Sequence, residues 1–178
     1  FPDEGQIYIH GKPVTIASPK DAFNYGIGMI HQHFKLVECF SVLDNIILGV
    51  EPSKGLFLEK DGARKKVLEL SERYGLKVEP DALISDITVG MQQRVEILKM
   101  LYRDNEVLIF DEPTAVLTPQ EIEELMQIMK NLAAEGKSIL FISHKLNEIM
   151  EVSDRVTVLR KGKCIGTVET ANTTAEEL

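Results

Sequence analysis

Two adjacent carboxylates, Asp111 and Glu112, follow the apolar run Val-Leu-Ile-Phe at residues 107–110. A carboxylate held at the end of a buried strand suits Mg²⁺, which takes oxygen ligands and completes its shell with water and substrate phosphates. The second carboxylate points elsewhere and is free to orient or deprotonate a water that attacks a phosphate. Pro113 stiffens the turn that directs both. An isolated Asp-Glu pair that only caps the next helix is the alternative interpretation.

Three further segments place polar groups where the chain turns. Thr88 and Gly90 precede a helical pattern, and the backbone N–H groups at a helix start attract anions. His144 follows the apolar run 138–143 and is able to hydrogen-bond a phosphate. Gln32 follows another apolar run and is able to contact a metal ion or the attacking water. Taken singly, Thr88 is equally an N-cap, His144 equally a helix cap, and Gln32 unremarkable.

The second half of the chain must hold most of these groups, and its pattern alternates between helix and strand. The pattern predicts a helix through Met91, Val95, Leu98 and Tyr102, a buried strand at 106–110, a helix with a capping box at 118–121 that ends at Gly136, and a buried strand at 138–143. This alternation predicts an α/β fold with a largely parallel sheet, in which ligands bind at the carboxyl ends of the strands.

The first half predicts two other kinds of structure. Short β-prone runs flank His10 and Gly11, which indicates a hairpin, and a buried strand is expected to end at Gln32. From Phe34 to Ser85 the pattern is helical, which predicts a small helical lobe. A second hairpin at 155–169 completes the chain.

Composition limits the function classes. The net charge of −8 disfavours a nucleic-acid surface, which needs clustered Lys and Arg, so no nucleic-acid partner is expected. The apolar runs are too short to cross a bilayer. Cys39 and Cys164 stand alone, as reduced thiols of a cytosolic protein do.

In this order the motifs resemble those of the nucleotide-binding domain of ABC transporters, over essentially all 178 residues. Gln32 matches the Q-loop, Ile-Thr-Val-Gly-Met-Gln-Gln at 87–93 the signature sequence, Val-Leu-Ile-Phe-Asp-Glu-Pro at 107–113 the Walker B strand, and His144 the switch histidine. The resemblance implies a P-loop NTPase core with a helical subdomain and β hairpins.

The resemblance also implies ATP and Mg²⁺ as ligands and assigns roles to the site residues. Glu112 would polarise the attacking water and His144 would contact the γ-phosphate. Asp111 would support Mg²⁺, with Gln32 able to touch the metal or the water. Thr88, Gly90 and Gln92 would contact the nucleotide from the signature side. The residues expected to bind the nucleotide are thus Gln32, Thr88, Gly90 and Gln92, the expected metal ligands are Asp111 and Gln32, and the expected catalytic residues are Glu112 and His144.

Within the family, the segments at 85–103 and 111–121 look most like the first ATPase half of double-length importer ATPases for simple sugars and nucleosides, with the nucleoside branch favoured. One domain, 1–178, is expected, with a core lobe at 1–33 and 91–178 and a helical lobe at 34–90. The implied partners are a second ABC ATPase domain, in tandem or as a dimer, and permease subunits that dock on residues 34–60. The implied location is the cytoplasmic face of the cell membrane.

The sequence also departs from the family pattern. No G-x-x-x-x-G-K-[ST] loop occurs in it. Because the chain starts at Phe1, we expect a domain truncated at its N-terminus, inactive alone, and either marginally stable or oligomeric. Met91 stands where the signature usually has glutamine, and Thr118 replaces the aspartate common in the family's D-loop. His31 and His33 flank Gln32, but no further ligand lies nearby in sequence, which argues against a transition-metal site.

Two alternatives remain open. A soluble ABC-type ATPase of translation or DNA repair is disfavoured because the chain is acidic and no heptad repeat lies between Gln32 and Gly90. A non-catalytic assembly fragment is the other alternative, since the signature is present and the phosphate loop is not.

Overall fold

The computed structural model describes residues 3–32, 34–54 and 57–178. The elements up to residue 102 are, in chain order, the strands β1 Ile7–Ile9 and β2 Lys12–Val14, helix α1 Pro19–Asn24, strand β3 Ile27–Ile30, helix α2 Val42–Ile47, the strands β4 Ser53–Lys54 and β5 Phe57–Leu58, helix α3 Lys60–Tyr74, a 3₁₀ helix Ile84–Asp86 and helix α4 Val89–Tyr102. The remaining elements are β6 Val107–Asp111, α5 Pro119–Ala134, β7 Ser138–Ile142, α6 Leu146–Val152, β8 Arg155–Arg160, β9 Lys163–Glu169 and a 3₁₀ helix Thr170–Asn172.

The central sheet has three parallel strands in the order β3-β6-β7. Ile30 pairs with Phe110, and Phe110 pairs in turn with Phe141, so the carboxyl ends of the strands lie at one edge of the sheet. Parallel strands need long crossover connections, and α5 lies in the crossover between β6 and β7. The predicted α/β fold, its parallel sheet, its helical part and its β hairpins are therefore confirmed.

Local sequence signals account for the ends of several helices. Thr118 and Glu121 form the predicted capping box of α5, with Pro119 at the first helical position. Helix α3 ends at Gly75, which adopts the left-handed conformation with φ 70° that a residue with a Cβ adopts only at a cost. An N-cap hydrogen bond such as the one that Thr118 accepts stabilises a helix by about 1 kcal/mol.

The helices cover one face of the sheet. Ile30, Leu108 and Phe110 point to this face and are fully buried, in one cluster with apolar side chains of α4 and α5. The same cluster continues into α2, α3, the segment after α3 and the 3₁₀ helix that follows, through Val42, Ile46, Val67, Leu76 and Ile84. The helical part and the sheet therefore share one continuous core.

The opposite face of the sheet is exposed. The register places Met29, Ile109 and Leu140 in one row across this face. Leu140 is 51% exposed and Ile142 is 49% exposed. The strand predicted to be buried at 138–143 is thus exposed on this face in the described residues, and only Leu108 and Phe110 of the strand at 106–110 are fully buried, because a continuous apolar run does not reveal whether anything packs on each face.

Three details of the first half also differ from the predictions. Strand β3 ends at Ile30, two residues before Gln32, and the short pair β4 and β5 interrupts the predicted helical lobe. Helix α1 was not predicted from the sequence. The hairpin at His10 and Gly11 is confirmed, and both residues have positive φ.

None of the described helices has the length and apolar character needed to cross a membrane. Cys39 and Cys164 are exposed, free thiols.

Substitutions on the two faces of the sheet should lower the free energy of unfolding by different amounts. Leu108→Ala should lower the free energy of unfolding by about 2–4 kcal/mol, because it leaves a cavity in the buried face. Leu140→Ala, the same change on the exposed face, should cost less than about 1 kcal/mol. Urea unfolding followed by circular dichroism measures both values. Equal losses at the two positions would contradict the assignment of the faces.

Candidate functional site

Glu112 lies between Gln32 and His144, just beyond the carboxyl ends of the three strands. Gln32 Nε2 donates a hydrogen bond of 3.3 Å to Glu112 Oε2, and His144 Nδ1 lies 3.3 Å from Glu112 Oε1. The backbone N–H of Glu112 donates to the Ile142 carbonyl at 2.9 Å, which continues the pairing of β6 with β7. The structure therefore brings together three predicted site residues that are far apart in sequence.

The backbone of Glu112 is in the left-handed region, with φ 46°. For a residue with a Cβ this conformation costs about 1–2 kcal/mol, and such outliers cluster at functional sites. Asp111 is the last residue of β6, and Glu112 begins the turn. The left-handed conformation ends the alternation of side-chain directions along β6, and the Glu112 carboxylate lies against the loops that carry Gln32 and His144.

The Asp111 carboxylate accepts no hydrogen bond within residues 3–32, 34–54 and 57–178. The amide nitrogen of Gln32 faces Glu112, which leaves the amide oxygen of Gln32 available. No group of three or more His, Cys, Asp or Glu side chains in the described part of the chain is arranged to hold a metal ion. One carboxylate and one amide oxygen fit Mg²⁺, which usually takes few protein ligands and completes its shell with water and phosphate oxygens.

The segment that follows Gln32 is held by helix α4. The Lys35 N–H donates to Glu96 Oε1 at 2.9 Å, and Lys99 Nζ donates to the Lys35 carbonyl at 3.4 Å. Burial lowers the pKa of Lys99, partly offset by the Glu96 carboxylate. The sequence analysis did not identify Glu96, although an acidic residue between Val95 and Ile97 in an otherwise apolar stretch was a usable signal.

The signature residues form a separate group. Thr88 is the N-cap of α4, where its Oγ1 accepts a hydrogen bond of 3.3 Å from the Met91 N–H, so the capping interpretation of Thr88 is confirmed. Gln92 uses its amide nitrogen to bind the Ile84 carbonyl at 3.2 Å. In the described residues, this group meets the Glu112 loop through Gln93, whose Nε2 donates to the Pro113 carbonyl at 2.9 Å.

Gly90 lies against the capping box of α5. A Cβ at Gly90 would overlap the carboxyl end of the Glu121 side chain, so a larger residue here would displace that carboxylate. The Thr118 N–H and hydroxyl both donate to Glu121 Oε2 at 2.9 Å, which lowers the pKa of the Glu121 carboxyl. Thr118 thus has a local structural role in the first turn of α5.

The histidines have different surroundings. The N-cap of α6 is Lys145, so His144 is not the helix cap that the alternative interpretation required. The His144 side chain is 72% exposed, and its ring contacts Glu112. His31 is exposed at the end of β3, and His33, its predicted companion, lies outside the described residues.

Comparison with known proteins now decides the family. The sequence profile described as ABC transporter matches residues 1–115, which is more than half of the chain. The chain belongs to the ABC transporter family. The resemblance of the motifs to ABC transporters is thereby confirmed.

Two curated relatives are ATP-binding proteins named for nucleoside or guanosine import. The chain is 64% identical over 177 residues to the nucleoside import ATP-binding protein NupA of Lactococcus lactis subsp. cremoris, and covers 35% of it. It is 58% identical over 177 residues to the guanosine import ATP-binding protein NupO of Bacillus subtilis, again covering 35%. In each case 99% of this chain is aligned, so the chain spans about a third of the length of these relatives.

A solved structure supports the fold. The chain matches cbiO1 of Clostridium perfringens, part of the ABC transporter complex cbiONQ, with a TM-score of 0.81 and 27% identity. The match covers 99% of this chain and 70% of cbiO1. The arrangement of helices and strands is therefore that of an ABC cassette.

The contact between Gly90 and Glu121 predicts coupled mutational effects. Gly90→Ala should give no gain in stability, because the new methyl displaces the Glu121 carboxylate and weakens the capping box. In a Glu121→Ala background the same change should stabilise the chain by up to about 1 kcal/mol, the helix-propensity difference between glycine and alanine. Chemical denaturation of the unmodified chain, the two single variants and the double variant gives the coupling free energy between the two positions.

Gly62→Ala in α3 is the matched control. A Cβ there would lie 3.7 Å from Glu59 Oε1, which is an ordinary van der Waals contact. The gain at this site should be the same with and without Glu121. If Gly90→Ala also stabilises the chain equally in both backgrounds, the packing explanation for Gly90 is wrong.

Proposed function

We propose that this chain is part of the ATP-hydrolysing, energy-coupling subunit of an ABC importer. The observation that carries the proposal is the contact of Glu112 with both Gln32 and His144 at the carboxyl ends of parallel strands. Because the chain belongs to the ABC transporter family, the reaction that these groups suit best is phosphoryl transfer from ATP to water. The alternative of a soluble ABC-type ATPase has no comparable support.

Each group has a role that its chemistry suits. The Glu112 carboxylate orients the attacking water and accepts hydrogen bonds from it as the bond to the γ-phosphorus forms. The exposed ring of His144 donates a hydrogen bond to a γ-phosphate oxygen, and ADP leaves as the new phosphate separates. Asp111 and the amide oxygen of Gln32 would hold Mg²⁺, which would neutralise phosphate charge.

The cradle for the phosphates is proposed to come from sequence outside this chain. The printed sequence contains no G-x-x-x-x-G-K-[ST] motif, whose backbone N–H groups would surround the β- and γ-phosphates. We therefore expect the chain alone not to hydrolyse ATP. A non-catalytic assembly role for the isolated chain remains the second candidate.

The signature group is proposed to serve a second nucleotide site, shared with another ABC ATPase domain in tandem or as a dimer. Thr88, Gly90 and Gln92 make no described hydrogen bond to the Glu112 group, which supports an assignment to a different ATP. Gln92 is occupied by the Ile84 carbonyl, so Thr88 and the free N–H groups of the first turn are the stronger candidates for phosphate contact.

The solute is proposed to be a nucleoside, with a simple sugar as the alternative, because the relatives at 64% and 58% identity are named for nucleoside and guanosine import.

Permease subunits are proposed to dock on residues 34–60, where Phe40 and Leu48 expose apolar surface. This arrangement puts the protein on the cytoplasmic face of the membrane. The proposed division is a core lobe at 1–33 and 91–178 and a helical lobe at 34–90.

Titration of Mg-ATP into the chain by calorimetry, with parallel phosphate-release assays, tests this proposal. We expect no turnover and binding weaker than about 1 mM, since the phosphate cradle is absent from the sequence. Glu112→Gln is the control and should behave like the unmodified chain. Tight binding with turnover that Glu112→Gln abolishes would show that the chain supplies its own cradle, against the proposed split site.

A further inference from the structure

A partly buried polar cluster joins the two loops that carry Glu112 and His144. This cluster, the Thr114 cluster, consists of Thr114, Ser143, Lys145 and Glu148. Thr114 lies two residues after Glu112 and is 2% exposed, while Lys145 directly follows His144. The sequence analysis assigned no role to any of these four residues.

The Glu148 carboxylate bridges the two loops with both of its oxygens. Thr114 Oγ1 donates a hydrogen bond of 2.7 Å to Glu148 Oε2, and Ser143 Oγ lies 3.5 Å from the same oxygen. Lys145 Nζ forms an ion pair of 3.1 Å with Glu148 Oε1. The Glu148 side chain is only 11% exposed, so water does little to weaken these contacts.

Lys145 and Ser143 close the cluster from the other side. Lys145 Nζ donates to the carbonyl and to the hydroxyl of Thr114, each at 3.2 Å. The Lys145 N–H donates to Ser143 Oγ at 3.1 Å, so the residues on both sides of His144 are held. Both the side chain and the backbone of Thr114 are therefore bound to the loop of His144.

The geometry of His144 makes this support necessary. Its ring is largely exposed, and the contact that the structure records for it is the one with Glu112, 3.3 Å long. Such a ring is placed mainly by its backbone, and the backbone of that loop is held by the Thr114 cluster. A displacement of about 1 Å at a reacting group can lower a rate by about 100-fold.

We propose that Thr114, Lys145 and Glu148 are positioning residues that set the placement of His144 relative to Glu112 during ATP hydrolysis. The inference rests on the proposed function, because it assigns these residues to the same site. None of the three needs to touch the nucleotide. These residues act by holding the two loops, so their loss should slow the cleavage of ATP rather than weaken its binding.

The test uses the complete ATPase subunit that contains this chain, with steady-state ATP hydrolysis as the readout. Thr114→Val keeps the shape of the side chain and removes its hydroxyl, whereas Thr114→Ser keeps the hydroxyl. We expect Thr114→Val to lower kcat by about 10–100-fold with KM for ATP changed by less than about threefold. Thr114→Ser should retain kcat within about threefold of the unmodified protein.

Lys145→Met and Glu151→Gln complete the design. Lys145→Met removes the charge at a partly exposed site and should lower kcat as Thr114→Val does, so it carries the test if Thr114→Val does not fold. Glu151 lies on the same helix and pairs with Lys130 outside the cluster, so Glu151→Gln should leave kcat unchanged. Thermal melts of every variant separate lost structure from lost positioning.

The outcomes separate failure of this inference from failure of the proposed function. If the unmodified subunit hydrolyses ATP, Glu112→Gln does not, and folded Thr114→Val and Lys145→Met keep full kcat, the positioning role is wrong and the proposed function stands. A loss of kcat in Thr114→Ser as large as in Thr114→Val also overturns the role of the hydroxyl. If Glu112→Gln hydrolyses ATP at the unmodified rate, the proposed function itself fails.

Discussion

The parallel pairing of β3, β6 and β7 is the constraint on which the site depends. Because the three strands run in one direction, the loops that carry Gln32, Glu112 and His144 leave the sheet at one edge. The strained φ of 46° at Glu112 then places its carboxylate within 3.3 Å of both neighbours. Stability from the shared core compensates for that strain, so the site and the fold are energetically connected.

Much of this fold follows from local patterns in the sequence. The capping box at Thr118 and Glu121, the hairpin at His10 and Gly11 and the helix from Val89 to Tyr102 each depend on residues within a few positions of one another. A polar residue after an apolar run suggests a strand end, but Gln32, Glu112 and His144 were assigned to one site only because the order of their motifs resembles that of ABC transporters.

The remaining features depend on distant residues and carry no local signal. The exposure of Leu140 depends on what packs on the sheet, and the effect of a side chain at position 90 depends on Glu121 in another helix. Gln92 turned out to bind the Ile84 carbonyl, which helical spacing alone does not indicate. The bond between Thr114 and Glu148 likewise joins the loop after β6 to helix α6, so it became visible only once both segments were placed.

Glu112 is proposed to act on the water in ATP hydrolysis, and a single-turnover assay tests this role. The complete subunit is mixed with less than one equivalent of γ-labelled ATP and Mg²⁺, and bound ATP and released phosphate are followed together. The account predicts that Glu112→Gln binds ATP as the unmodified protein does but cleaves it at least about 100-fold more slowly. Normal binding with cleavage at the unmodified rate would contradict the claim.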